Sequence, residues 1–398
     1  MANKKDCFYI IPRIPFPPVG GDRLKYFNSI KVLSAQFNLH VIIISDKPLA
    51  NDAKDFLNTY AASYKFFYFR KLHFYFNVIM GFFNKNPLQV SYYYFKKADA
   101  YCKATIKPGD IVICNLIRTA LYSFNLPNVK ILNLEDSIYL NYKSSLKKVS
   151  SLFWKLMYRI ELNRLKYFEE KCVEKFTLST FVNEAEQLHY AVKGNTAWIP
   201  NGVADELCLR QFAPHKPAGK EVVYLGKMDY QPNIDAVAWF ANNVLPVYTD
   251  IKLTIAGAQP NHKILALKNK YPNNINITGY VDDPFILMKN AVAVVAPMQT
   301  GAGLQNKILE AMAIGCVVLA SSLGANPIKG AEHGKHLFKC NTPEEYAEMI
   351  DVLLKNEAYG NTIKQQARDF IKENYTWHIY KERLFTHINK IMVGASNN

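Results

Sequence analysis

The stretch VAVVAPMQTGAGLQNKILEAMAIGCVVLAS, residues 292–321, reads as strand, loop, helix, strand. Residues 292–297 and 317–321 are continuous apolar runs rather than alternating ones, which marks strands buried on both faces of a parallel sheet. Between them residues 304–314 carry apolar side chains at helical spacing. The same pattern extends outward. Strands are predicted at 222–226, 251–257 and 275–281, and helices at 232–245, 262–271 and 284–290. The first half repeats it with strands at 8–12, 39–45, 111–115 and 130–134 and helices at 23–37 and 151–173. Repeated strand–helix units with right-handed crossovers make a doubly wound sheet. The predicted fold class is therefore α/β, with two Rossmann-like doubly wound domains facing a central cleft. The expected boundaries are 1–200, 203–375, and a C-terminal helix at 376–398 crossing back to the first domain.

Length and composition agree with two domains. The chain has 398 residues, 49% of them hydrophobic and 20% charged, which describes a soluble globular protein. No run of about 18 apolar residues occurs, so no membrane span is expected. The short apolar piece at 7–11 runs into prolines and is too brief for a secretory signal. Seven cysteines lack any paired short spacing, which predicts neither a zinc site nor a disulfide framework and fits a cytoplasmic protein. The net charge of +15 is uneven: residues 1–200 hold 28 Lys and Arg against 15 Asp and Glu, and residues 201–398 hold 20 against 18. A basic first half is expected to face something anionic. No nucleic-acid-binding motif accompanies it, which leaves an acidic lipid surface or a phosphorylated acceptor.

The chemistry concentrates in GAGLQNKILEAMA, residues 301–313. Gly301 and Gly303 flank Ala302 at a strand-to-helix turn, where missing side chains let the backbone approach a ligand. The free amides from Gly301 to Leu304, with the helix dipole, favour phosphate. Lys307 in the first turn is unhelpful to an isolated helix but useful beside a diphosphate. Glu310 can accept two hydroxyl hydrogen bonds from a ribose. The plain alternative is an ordinary turn followed by a solvated Lys–Glu pair. In the first half, Gly20 and Gly21 within VGGDR (19–23) can present amides to a ligand, with Asp22 capping the helix. LNLEDS (132–137) ends a strand in acid, and Asp136 either caps the next helix or handles an acceptor proton.

These segments resemble glycosyltransferase family four, which has the GT-B fold. The resemblance rests on PFPPVGGDRLK (15–25), YLGKMDYQPNIDAVAWF (224–240), IAGAQP (255–260), ITGYVDD (277–283), the GxxNKxLEAMA helix and NYTWH (374–378), in the family's order. It is nearest to the branch that includes exopolysaccharide-associated sugar transferases. The resemblance implies a metal-independent glycosyltransferase without a cofactor, transferring sugar from a nucleotide diphosphate sugar to a glycan or lipid-linked acceptor, with retained anomeric configuration. It implies that Lys227 and Lys307 contact the diphosphate, that Tyr280 and Val281 meet the nucleobase, and that Asp136 orients or deprotonates the acceptor. One departure stands out: Ala302 occupies the place where many members have a glutamate that touches the donor sugar. A sugar-nucleotide epimerase and a non-catalytic nucleotide-sugar-binding or membrane scaffold subunit remain as alternatives.

Finally, residues 64–83 interleave aromatics with Lys65, Arg70, Lys71 and His73, and residues 151–175 add Lys155, Arg159, Arg164 and Lys166. Aromatic bodies with basic tips suit a membrane headgroup layer, which predicts peripheral docking on the inner face of an anionic membrane.

Overall fold

The computed structural model describes residues 4–18, 20–146, 152–210, 219–301 and 303–396. The chain divides into two compact units, one of residues 1–199 with Arg383–Asn398, the other Pro200–Glu382. The helix Trp377–Ser396 therefore begins in the second unit and continues in the first.

In the first unit seven strands, β1 (Asp6–Ile11), β2 (Asn38–Ser45), β3 (Ser63–Tyr68), β4 (Ile111–Asn115), β5 (Val129–Glu135), β6 (Leu178–Phe181) and β7 (Thr196–Trp198), form one parallel sheet in the order β3-β2-β1-β4-β5-β6-β7. In the second, β8 (Glu221–Leu225), β9 (Lys252–Ala256), β10 (Ile275–Gly279), β11 (Ala293–Ala296), β12 (Val318–Ala320) and β13 (Phe338–Lys339) form another in the order β10-β9-β8-β11-β12-β13. Both are the doubly wound sheets predicted. β1, β4 and β11 are buried along almost their whole lengths, the reason these runs do not alternate. One core gathers Ile10, Ile42, Val112, Leu132 and Phe181. The other gathers Tyr224, Phe240, Leu253, Val295 and Tyr346.

One stretch predicted as a single basic–aromatic segment, 64–83, is divided. Its front is the edge strand β3, paired with β2, and its back is the helix Lys71–Gly81. The helix predicted from Arg23 starts at Gly21, and its N-cap is Gly20 at φ 98°, so Asp22 lies inside the first turn rather than capping it. Asp22 instead pairs with Arg13.

Three strands of the second unit end on glycine: Gly226 after β8, Gly257 after β9 and Gly279 closing β10. The amide of Gly226 donates to Ala256 O at 3.0 Å and that of Gly257 to Gly279 O at 2.8 Å, which draws the three chains together past the sheet's regular pairing. A Cβ at Gly257 would lie 1.8 Å from Gly226 O, and neither backbone can yield. Gly257→Ala should therefore cost about 1–3 kcal/mol, read as a lowered Tm. Gly219→Ala, with nothing within 4 Å of the new Cβ, should leave Tm nearly unchanged. Equal Tm values for the two variants would contradict the close approach.

Candidate functional site

In the second sheet the chain winds outward in both directions from β8 and β11, and ligands of such sheets bind beyond the carboxyl ends at that reversal. The residues placed there are Gly226 and Lys227 after β8 and residues 297–301 and 303–305 after β11. That loop turns at Gly301, φ 87°, and feeds the helix Asn306–Ala313. The helix starts two residues later than Leu304, which is buried with Gly303 in the approach. Ala302 and Val19 lie outside the described residues. Gln305 is the N-cap but provides no side-chain cap, since its amide nitrogen donates back to Gly303 O at 3.1 Å. Among the described residues the N-cap thus offers the first-turn amides no side-chain acceptor.

Lys307 does not extend from the helix mouth as expected of a solvated side chain. Its Nζ donates to Tyr224 Oη and to Asn233 Oδ1, both at 2.7 Å, and lies 4.4 Å from the Tyr224 ring centroid. Neutral dipoles and an aromatic face hold the cation, and among the described residues it has no ion-pair partner. Burial pulls its pKa down to about 7, opposed by the charge of Glu310. Burial likewise pushes Glu310 up to about 7, opposed by Lys307. Both groups stand near the middle of their titration around neutrality. An arriving anion would add to the charge of Glu310 and raise the Lys307 pKa further.

Asn233 organises this corner. Its Nδ2 donates to Lys227 O at 2.9 Å, while its Oδ1 accepts from both Tyr224 Oη, at 2.9 Å, and Lys307. Sequence reading passed over it. The available signal was an asparagine at a core-facing position of the helix Gln231–Asn243, where Ile234, Val237 and Phe240 are its buried neighbours. Lys227 itself is exposed and ion-paired with Asp229 at 2.8 Å. Tyr280 is 66% exposed just after Gly279, with Val281 half-buried beside it.

The first sheet reverses between β1 and β4. Asn115, ending β4, accepts from Tyr9 Oη at 2.8 Å and from Asn133 Nδ2 at 2.9 Å, and donates to Glu135 Oε1 at 2.5 Å. Glu135 takes φ 62°, turning the end of β5 toward Lys25, buried one turn into the helix Gly21–Gln36. Burial raises Glu135 to about 7 and Asp136 to about 6, while Lys25 lowers both; Lys25 itself is pulled down by burial and held up by the two acids. Asp136 does not cap the following helix: Ser137 does, accepting from Leu140 N at 3.1 Å. Among the described residues Asp136 Oδ1 is buried with no hydrogen-bond partner. Lys25, Glu135 and Glu186 were not singled out from sequence, because Lys25 meets Glu135 and Asp136, and Glu186 meets Asp136 and Ser137, only across separate elements.

Residues 219–356 match the model of the family Glycosyl transferases group 1. Among curated relatives, an uncharacterised 44.6 kDa protein in the cps region of Klebsiella pneumoniae is 28% identical over 258 residues, 62% of this chain and 65% of that one, so the match spans just under two thirds of the relative. Sucrose-phosphate synthase from Thermosynechococcus elongatus superposes with a TM-score of 0.71 at 14% identity, covering 98% of this chain and 100% of that one. Anabaena Alr3699/HepE, solved with UDP and glucose, gives a TM-score of 0.68 at 15% identity, covering 97% and 99%. At these identities the structural likenesses establish the fold, which is GT-B.

Glu186 supplies a test of the first unit's buried acids. It accepts from Ser137 N at 2.6 Å, and burial, then Asp136, raises its pKa to about 9. Its folded pKa exceeds the unfolded value, so its contribution is most favourable at low pH and worsens as pH climbs toward the folded pKa. Glu186→Gln keeps the acceptor. It should leave Tm little changed near about pH 4.5 and raise it increasingly up to about pH 9, by calorimetry. A difference independent of pH would show that Glu186 does not hold a buried proton.

Proposed function

We propose that this chain, whose residues 219–356 are a Glycosyl transferases group 1 domain, transfers a sugar from a nucleotide diphosphate sugar to a hydroxyl of a glycan or lipid-linked acceptor. The observation that carries the reading is the pairing of a helix start at Asn306 that lacks a side-chain cap with a buried lysine that has no ion-pair partner among the described residues, at the β8/β11 reversal. Breaking the anomeric carbon–oxygen bond builds negative charge on the departing diphosphate. The helix amides and Lys307 stabilise that charge in a partly dry setting, where such interactions are strongest. Lys227 exchanges Asp229 for phosphate. Glu310 takes the ribose hydroxyls, the loop Gly301–Gly303–Leu304 lies along the diphosphate, and Tyr280 with Val281 borders the base.

The first unit is proposed to serve the acceptor. Asp136 holds a buried oxygen without a partner among the described residues and a pKa raised to about 6, so it can accept a hydrogen bond from an acceptor hydroxyl. Gly20 and Gly21 offer amides at a helix start that also lacks a side-chain cap. Retention of anomeric configuration, polysaccharide synthesis as the setting and the inner face of the membrane as the place belong to the same proposal. The Klebsiella relative's cps region supports the setting, and the UDP complex of HepE nominates UDP as the first nucleotide to try.

Thermal-shift measurements with UDP, GDP and ADP should find at least one that raises Tm. Lys307→Ala and Glu310→Ala should each lower turnover by about 10²–10³-fold and reduce that shift without removing it; unchanged rates in both would remove the donor from this corner. Proton linkage gives a separate check. The free-state Lys307 pKa of about 7 must rise when diphosphate binds. Between about pH 7 and pH 9, binding should take up a proton and weaken by up to about tenfold per pH unit. Calorimetric titration in buffers of different ionisation enthalpy reads that uptake. Lys307→Ala should erase it, and zero uptake by the native chain at about pH 8 would contradict the role given to Lys307.

A further inference from the structure

The helix Lys71–Gly81 is apolar on the face it turns to solvent. Phe74 and Gly81 are buried, and Asn77 Nδ2 donates to Tyr94 O at 2.9 Å, which fixes the inner side. The outer side carries Leu72, Tyr75, Phe76, Ile79, Met80 and, just past the helix, Phe83, each between 50% and 83% exposed. Their spacing of three and four residues is the series a water-soluble helix normally turns into its core. The helix Leu152–Lys175 adds exposed Leu156 and Ile160. Arg164 ties the two helices together through Gly81 O at 3.1 Å and Phe82 O at 3.3 Å.

The charge around this face has one sign. No Asp or Glu occurs between Asp55 and Asp99, an interval that contains Lys65, Arg70, Lys71, Lys85, Lys96 and Lys97. Arg70, Lys71 and Lys85 at the two ends of the stripe are exposed, as are Arg159 and Lys166 on the neighbouring helix. No described helix is long and apolar enough to cross a membrane.

We propose that this face docks on an anionic lipid bilayer, with Leu72, Phe76, Ile79 and Phe83 entering the boundary between headgroups and acyl chains. Arg70, Lys71, Lys85 and Arg159 meet the lipid phosphates. A helix lying in the interface plane needs a wide apolar face, aromatic residues and flanking cations, and all three are present. A protein partner would need acidic side chains facing cations on both helices at once, whereas a leaflet of acidic lipid presents negative charge everywhere. The docking does not depend on the nucleotide site.

The test is sedimentation of the full chain with vesicles of phosphatidylcholine alone or mixed equally with phosphatidylglycerol. The native chain should bind the mixed vesicles much more tightly and be released by salt. Arg70→Gln with Lys71→Gln should weaken that binding by about fivefold per cation. Phe76→Ser with Phe83→Ser should weaken it at least about tenfold, with Tm and the nucleotide-induced thermal shift unchanged. Absence of vesicle binding at low salt overturns the proposal. So does a native chain that self-associates in sedimentation velocity and becomes monomeric in the Phe76→Ser, Phe83→Ser variant without binding vesicles, because a second copy would then cover the face. Loss of the nucleotide shift in the native chain would strike the donor reading alone.

Discussion

Asn233 holds the second unit's chemistry in place by using both ends of its amide. Its nitrogen fixes the backbone of Lys227 and its oxygen fixes Tyr224 and Lys307. An aspartate there would neutralise Lys307 permanently and compete with any incoming anion. A neutral acceptor holds the ammonium in position without forming an ion pair. Burial keeps the Lys307 pKa down at about 7, against the charge of Glu310. The glycine ends of β8, β9 and β10 serve the same corner by letting the strand termini close up beneath it.

The two units treat buried charge differently. In the second, a lysine and a glutamate one turn apart depress each other's desolvation cost without an ion pair among the described residues. In the first, two acids, Glu135 and Asp136, share one buried lysine, and Asp136 is left with an oxygen that nothing described satisfies. Unsatisfied buried acceptors are uncommon and call for an explanation. We propose an acceptor hydroxyl as that missing partner, by the same rule that makes Lys307 useful: a group kept short of its partner binds the partner that arrives.

Much of the fold was legible because strands buried on both faces of a parallel sheet read as apolar runs, and Ile111–Asn115 and Ala293–Ala296 carry that mark. β3 was hidden because an edge strand tolerates exposed residues, and SYKFFY sets Lys65 among aromatic side chains with no clean apolar run. β6, β7 and β13 are too short for periodicity to speak. At the site, the glycine turn and the Lys307–Glu310 spacing were readable, since one loop and one helix contain them. The direction taken by Lys307 was not readable, because it is set by Tyr224 and Asn233 from two other elements. The same holds for Lys25, Glu135 and Glu186.

The most direct measurement is nuclear magnetic resonance of side-chain-labelled lysine, following Lys307 through a pH titration with and without nucleotide diphosphate. The account predicts a free-state titration near 7, displaced upward once the diphosphate is bound. A titration close to the ordinary lysine value of about 10.4 in both states would mean that Lys307 is neither desolvated nor waiting for an anion.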